Sequence, residues 1–155
     1  MSAEQIFGIV NTLVLPGWLL LLVAPRWRFT MPVAAVGLPL ALAVVYAVLL
    51  AQHWGDFAGG SGLAHIAQLF ANPFILLAGW IHYLAFDLFI GSWEVRDALK
   101  HQVPHWAVVP CLLLTFLFGP VGLLLYFILR YASQRRWLSK DRSLTQRAHE
   151  GTGTS

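Results

Sequence analysis

Four long stretches of this chain carry no charged side chain, and they limit its possible folds more than any other feature. They hold 21, 27, 30 and 29 residues and lie between Glu4 and Arg26, Arg28 and Asp56, Asp56 and Asp87, and Lys100 and Arg130. Each is as long as the ~20 apolar residues that a helix needs to cross a bilayer. Only 11% of the residues are charged, whereas soluble domains usually carry about 25%. The sequence therefore predicts a polytopic membrane protein and excludes soluble enzyme folds, secreted disulfide frameworks and disordered proteins.

The predicted fold class is all-α, with a single four-helix transmembrane domain over residues 1–135. Apolar runs, prolines and capping signals place the predicted spans at 5–24, 32–52, 73–91 and 107–131. A short helix between the second and third spans has apolar residues on one side, which predicts a position along the membrane interface. The polar, basic tail over 136–155 is predicted to be disordered.

An even number of spans would place both termini on one side of the membrane. Six of the ten basic residues lie at Arg130 or beyond it, so the positive-inside rule favours termini in the cytoplasm. Basic residues directly after an apolar helix are typical of anchoring at an anionic leaflet. We therefore expect the lipid bilayer, and no nucleic acid, as the partner of this segment.

The candidate chemistry lies on one face of the third helix. Asp87, Glu94 and His101 recur every seven residues, so at 100° per residue they fall within about 40° of one another. Tyr83 and Asp97 share this sector if the helix continues past residue 91. We call these five residues the polar stripe.

A charged side chain at membrane depth costs ~2.5–3.5 kcal/mol, and it usually faces the protein interior or marks a functional site. The candidate catalytic residues are therefore Asp87, with His82 or Glu94 as its complement. Two structural alternatives stay open. Asp87 could have a structural role by hydrogen-bonding to a neighbouring helix. The charged residues after it could form local ion pairs in a solvated loop.

A metal site is the next possibility on the stripe. His65 and His101 are candidate ligands, which together with Asp87 and Glu94 could bind non-haem iron or zinc. The sequence contains no HExxH motif or other close ligand spacing. The metal content therefore stays unknown from the sequence.

Aromatic side chains surround the polar stripe. The candidate ligand-binding residues are Trp80, Tyr83, Phe86, Trp93 and Phe116. They would suit a long apolar ligand such as a polyene or an acyl chain, although helix packing is the simpler explanation for any one ring.

Two segments carry a family resemblance: residues 82–94 (HYLAFDLFIGSWE) and residues 109–126 (VPCLLLTFLFGPVGLLLY). Together they resemble the abscisic-acid-deficient-four-like family, small four-helix membrane proteins of plants, algae and bacteria, over residues 5–131. The plant members are associated with making neoxanthin from violaxanthin, so the resemblance implies a carotenoid or related isoprenoid ligand. Because the chain shows no transit peptide or plant-type N-terminal extension, we expect a bacterial member in the inner (plasma) membrane.

The resemblance also implies a reaction. An epoxide becomes an allenic alcohol when an acid protonates the leaving oxygen and a base takes a proton from carbon. Asp87 with His82 or Glu94 could divide these roles, and such an isomerase needs no redox cofactor. Two other functions stay open: a non-catalytic membrane subunit that binds a partner protein, and a small proton or ion pathway along the polar stripe.

Overall fold

The computed structural model describes residues 1–57 and 60–134, and the regular structure in these ranges is helical. The helices are α1 (Ala3–Val23), a π-helical segment (Pro32–Gly37) that continues into α2 (Leu38–Gln52), α3 (Leu63–Leu69), α4 (Pro73–Lys100) and α5 (His105–Phe118), with a short 3-10 turn at Trp54–Phe57. Residues 120–134 form a further helix, α6. The all-α fold class predicted from the sequence is therefore confirmed. The predicted disordered tail lies outside the described residues.

Three helices in the described part of the chain are long and apolar enough to cross a membrane: Ala3–Val23, Pro32–Gln52 and Pro73–Lys100. Their starts follow the sequence signals. Ser2 and Gln5 form a capping box before α1, and the Asn72 side chain caps α4 by accepting a hydrogen bond from the Phe74 backbone (3.0 Å). α4 continues past Gly91 without a break, so the charged residues that follow belong to the helix.

Glycines let α1, α2 and α4 pack closely against one another. A Cβ atom on Gly17 of α1 would lie 2.8 Å from Leu38 and 2.9 Å from Leu88. A Cβ atom on Gly91 of α4 would lie 2.8 Å from the ring of Trp18. These contacts fix α1 against the middle of α4, with α2 on another side of the same helix.

The predicted fourth span is instead a helical hairpin made of α5 and α6. Gly119 breaks the helix with a φ of +50°, a conformation that is costly for any residue with a Cβ atom. α6 then packs back on α5. The two helices approach so closely at Gly122 that a Cβ atom there would collide with the backbone nitrogen of Thr115. Further along α6, Arg130 contacts His101 at the C-terminal end of α4. The chain therefore returns to the end of the bundle from which α5 started.

This hairpin changes the predicted topology. α5 has 14 residues, or about 21 Å of helix, which is short of the ~30 Å hydrocarbon core. Four continuous spans are therefore not confirmed. Residue 130 lies at the same end of the bundle as residue 101, whereas Ala3 at the start of α1 lines the same groove as Pro73 at the start of α4. This arrangement does not support termini on one side.

α3 is present, and its position along the membrane interface stays a prediction.

Candidate functional site

The polar stripe of α4 faces the α5–α6 hairpin. The Tyr83 hydroxyl donates a hydrogen bond to the carbonyl oxygen of Phe116 (2.9 Å). Further along α4, the Thr115 hydroxyl donates to Glu94 Oε1 (3.0 Å). The side chains that the sequence places in one sector therefore meet the same neighbour.

Asp87 lies against the tip of the hairpin. A Cβ atom on Gly119 would lie 3.0 Å from Asp87 Oδ1 and 3.3 Å from Oδ2, so glycine leaves the room that the carboxylate occupies. Oδ2 is buried and has no hydrogen-bond partner among the described residues. Tyr83, one helical turn earlier, interacts with Asp87 through its side chain. Together they form a polar pair at the hairpin tip.

Glu94 is completely enclosed by protein, with 0% of its surface exposed. Oε1 accepts the hydrogen bond from Thr115, whereas Oε2 has no hydrogen-bond partner in the described part of the chain. Thr115 is also fully buried, and a Cβ atom on Gly122 would collide with its hydroxyl. The glycine thus allows α6 to pack closely over the Glu94–Thr115 pair.

Asp97 connects the open end of the hairpin to α4. Its Oδ2 accepts a hydrogen bond from the Tyr126 hydroxyl (2.6 Å) and lies 3.2 Å from Arg130 Nε. His101 Nε2 lies 2.9 Å from Arg130 Nη2, and its Nδ1 lies 2.9 Å from the Asp97 carbonyl oxygen. Because a guanidinium only donates, this arrangement assigns the histidine proton to Nδ1. We call Asp97, His101, Tyr126 and Arg130 the hairpin foot.

A groove of about 720 Å³ lies beyond the hairpin tip, and we call it the tip groove. Its walls come from the start of α1, the end of α3, the first half of α4 and the tip itself. They include Phe7, Phe70, Leu76, Trp80, Tyr83 and Phe118, and Glu4 is the charged lining residue. A continuous fourth span would pass through this region beside α1 and α4. Because the chain turns back at Gly119, the space stays open. Tyr83 connects it with Asp87.

The tip groove opens on the outer surface of the helices. Leu76 is 55% exposed and Phe118 is 60% exposed. In a membrane protein, such exposed apolar side chains on spanning helices face lipid. A ligand dissolved in the bilayer could therefore reach Tyr83 and the hairpin tip from the side.

The five predicted ligand-binding aromatics divide among three places. Trp80 and Tyr83 line the tip groove, where Trp80 Nε1 also donates a hydrogen bond to Asn11 of α1 (3.1 Å). Phe86 lines a second apolar groove of about 380 Å³ between α2 and α4. Trp93 packs against Tyr126 and Phe127, and Phe116 packs edge-on against Trp18. Only the first two are therefore placed to contact a ligand in the tip groove.

The structure does not bring His82 to Asp87. The His82 ring stacks on Phe86 at 4.4 Å between centroids and lies 5.6 Å from Tyr46 of α2. It faces α2, whereas Asp87 faces the hairpin tip. Tyr83, which the sequence suggested only as a ligand-binding residue, lies beside Asp87 instead.

The two candidate metal ligands lie at opposite ends of α4. His65 of α3 lines a small cavity with Asp56 and Asn72 near the start of α4, and its Nε2 is buried without a hydrogen-bond partner in residues 1–57 and 60–134. His101 belongs to the hairpin foot at the other end. The described ranges contain no group of three or more His, Cys, Asp or Glu residues arranged to hold a metal ion.

Several contacts of this site were not predicted from the sequence. Thr115, Tyr126 and Phe118 lie in an apolar run that looks like an uninterrupted span, and only the Phe-Gly-Pro-Val-Gly segment at 118–122 contains residues that favour a hinge. Once the hinge becomes a complete reversal, these residues reach the stripe or the groove. The signal for the reversal was the pair of glycines around Pro120.

Comparison with known proteins gives one family and one curated relative. The sequence pattern of a family described as "ABA DEFICIENT 4-like" matches residues 5–126. The chain is 31% identical over 137 residues to "Protein ABA DEFICIENT 4, chloroplastic" of Arabidopsis thaliana, with 81% of this chain and 60% of that protein aligned. The chain therefore spans about three fifths of the length of the relative it matches. No solved structure matches. A plant relative gives no support to the expected bacterial type or bacterial inner membrane.

Proposed function

The chain belongs to the ABA DEFICIENT 4-like family, and we propose that it binds a carotenoid or related isoprenoid in the tip groove and isomerises it by acid–base chemistry. The observation that carries this proposal is the position of Tyr83, which lines an apolar groove and interacts with Asp87. Ligand sites are commonly apolar clefts with a few polar groups at defined points. The tip groove has this composition.

The groove suits one end of a polyene. Its aromatic walls, Phe7, Trp80 and Phe118, offer flat apolar surfaces for a ring and the conjugated chain next to it. The exposed side chains around it allow the rest of a long molecule to remain in lipid. A water-soluble substrate would find few polar partners there.

The proposed reaction is the opening of an allylic epoxide to an allenic alcohol. A base removes a proton from carbon, and the electron pair of that C–H bond forms the new double bond. The epoxide C–O bond breaks, and its electron pair goes to oxygen, which receives a proton from an acid. One proton leaves and one arrives, so substrate and product have the same composition.

Asp87 and Tyr83 can divide these roles. A carboxylate in apolar surroundings is a stronger base than in water because nothing solvates its charge. The Tyr83 hydroxyl lies on the groove wall and can donate to the leaving oxygen if it exchanges its bond to the Phe116 carbonyl for one to the ligand. We place Tyr83 here rather than His82, which faces α2.

The test is expression in a carotenoid-producing host, with pigments extracted from cells and from purified protein and analysed by absorbance and mass spectrometry. Wild type is compared with Asp87→Asn and with Asp56→Asn, a matched carboxylate replacement outside the tip groove. We expect wild type and Asp56→Asn to change the carotenoid pool. Asp87→Asn should lower product at least about 100-fold, the lower range for losing a general acid or base.

Full product formation by a folded Asp87→Asn variant would overturn the assigned role of Asp87. An unchanged pool together with colourless wild-type protein would overturn the carotenoid proposal. That result would favour a non-catalytic subunit that binds a partner protein. Flux of protons or ions through liposomes containing the protein would instead favour a pathway along the polar stripe.

A further inference from the structure

A small polar cavity beside the hairpin foot has no part in the proposed function. Its volume is about 190 Å³, and it lies where the end of α4 and the turn after it meet the end of α6. It is lined by Lys100, His101, Gln102, Ser133 and Gln134, and we call it the foot cavity. Within the described part of the chain, no carboxylate lines it. Its surroundings therefore lack the negative charge that would attract a cation.

Lys100 adds a positive charge that no other group at the foot balances. Arg130 Nε lies 3.2 Å from Asp97 Oδ2, so these two charges offset each other. Lys100 is exposed and forms no ion pair within residues 1–57 and 60–134. Its ammonium group has three donors and no acceptor. The charge at the foot cavity therefore favours an anionic ligand.

Gln102 has a backbone conformation that glycine adopts at lower cost. Its φ is +56°, because the chain leaves α4 through a turn in which the Val103 N–H donates to the Ala98 carbonyl (2.9 Å). Glycine is the usual residue at this position of such a turn. The side-chain amide of Gln102 lines the foot cavity and forms no hydrogen bond to any described residue. Binding of a ligand by this amide would explain a side chain at a position that favours glycine.

Aromatic side chains indicate that the foot cavity lies at the level of the lipid headgroups. Trp106 near the start of α5 and Tyr131 near the end of α6 are both exposed, and exposed Trp and Tyr are enriched at the membrane–water interface. Phe127 is also exposed. It lies seven residues before Gln134 and so on the same face of α6. A lipid with its headgroup in the cavity could therefore lay an acyl chain along this face.

We propose that the foot cavity binds the phosphate group of an anionic phospholipid. The Lys100 ammonium pairs with the phosphate, and the amide N–H groups of Gln102 and Gln134 donate to its other oxygens. A zwitterionic lipid binds less well, because Lys100 repels the cation of its headgroup. The cavity holds one lipid at a defined place. It differs in this from the general attraction between a basic tail and an anionic leaflet.

The test is native mass spectrometry of the full chain in detergent micelles, titrated with phosphatidylglycerol or with phosphatidylcholine. Lys100→Gln is compared with Arg96→Gln, because Arg96 is exposed one helical turn earlier and does not line the foot cavity. We expect wild type and Arg96→Gln to retain one phosphatidylglycerol. Lys100→Gln should weaken its binding at least about tenfold, as for the loss of a hydrogen bond to a charged group. Wild type should bind phosphatidylcholine more weakly than phosphatidylglycerol.

Gln102→Gly separates lipid binding from stability. Glycine relieves the positive φ, so the unfolding midpoint in lipid-free micelles should not fall. Binding of phosphatidylglycerol should nevertheless weaken about fivefold, because the amide donor is lost. A lower midpoint with unchanged lipid binding would show that Gln102 has only a structural role, which would overturn its place in the site.

Equal losses of lipid in Lys100→Gln and Arg96→Gln would overturn the proposal, because a general effect of surface charge treats the two residues alike. Equal binding of the two lipids by wild type would also overturn it. Inorganic phosphate distinguishes the remaining source of the same group. If it raises the unfolding midpoint of wild type but not of Lys100→Gln, and no phosphatidylglycerol is retained, the cavity binds free phosphate and the lipid assignment is wrong.

Discussion

Gly119 and the Asp87 carboxylate occupy adjoining space: a Cβ atom on the glycine would lie 3.0 Å from Asp87 Oδ1. The same glycine has the positive φ that reverses the chain between α5 and α6. One residue therefore sets both the shape of the hairpin and the surroundings of the candidate catalytic carboxyl group.

Gly119→Ala should destabilise the protein. The backbone strain of a non-glycine residue in such a conformation is about 1–3 kcal/mol, and the new methyl group would displace Asp87. The measurement is the unfolding midpoint in detergent micelles. Gly8→Ala is the control, because nothing lies within 4 Å of its Cβ position. Equal midpoints for the two variants would contradict the assigned geometry of the turn.

Leu76→Trp should reduce ligand binding. Leu76 lines the tip groove and is 55% exposed, so a larger side chain can fill the groove without disturbing buried packing. We expect a loss of bound pigment of about tenfold, or ~1.4 kcal/mol of binding free energy. The measurement is the pigment-to-protein absorbance ratio after purification.

Leu113→Trp on α5 is the matched control, since Leu113 is 45% exposed and does not line the tip groove. Loss of pigment in both variants would indicate a general packing effect. Retention of pigment in both would move the ligand site away from the tip groove.

Residue 134 should be accessible from the same side of the membrane as the segment that connects α1 with the π-helical segment. In a Cys111→Ala background, Gln134→Cys and Trp27→Cys should react with a membrane-impermeant maleimide from one face, and Ser61→Cys from the other. Four continuous spans would instead place Gln134→Cys on the side of Ser61→Cys. Labelling of sealed, uniformly oriented vesicles distinguishes the two arrangements.

Arg130→Gln should loosen the hairpin foot. Arg130 Nε lies 3.2 Å from Asp97 Oδ2, with side-chain exposures of 26% and 12%. Loss of a partly buried charged partner costs about 1–3 kcal/mol. The exposed Arg96 of the same helix provides the control, and Arg96→Gln should change stability by less than about 0.5 kcal/mol. The ratio of the two effects, measured by thermal unfolding in micelles, decides whether the foot stabilises the hairpin.

Much of the fold follows from the sequence because membrane helices depend on few signals. Charge-free runs set the number of apolar segments, and Pro32, Asn72 and Pro73 set where two of the helices begin. The polar stripe was also predictable, since its members recur at helical spacing. Gly91 does not interrupt α4. Its missing side chain instead leaves room for the ring of Trp18 to pack against the helix.

The hairpin was not predictable from hydropathy, because residues on both sides of Gly119 are equally apolar. The sign of a glycine φ angle depends on the contacts of the folded chain, here with Thr115 and Asp87. The sequence paired Asp87 with His82 or Glu94, whereas in the structure His82 lies against Tyr46 of α2 and Tyr83 lies near Asp87. One residue along a helix is a rotation of 100°, which decides whether a side chain faces α2 or the hairpin tip.

The α5–α6 hairpin turns back at Gly119 before it crosses the membrane, and this also determines how a ligand would reach the protein. A groove that opens sideways into lipid receives molecules that diffuse in the plane of the membrane, so the search takes place in two dimensions and its rate depends on molecules per unit area. The lipid phase then acts as the reservoir, and a poorly soluble molecule need never pass through water. Crowding of one leaflet with sterol or protein would slow such encounters without altering the groove itself.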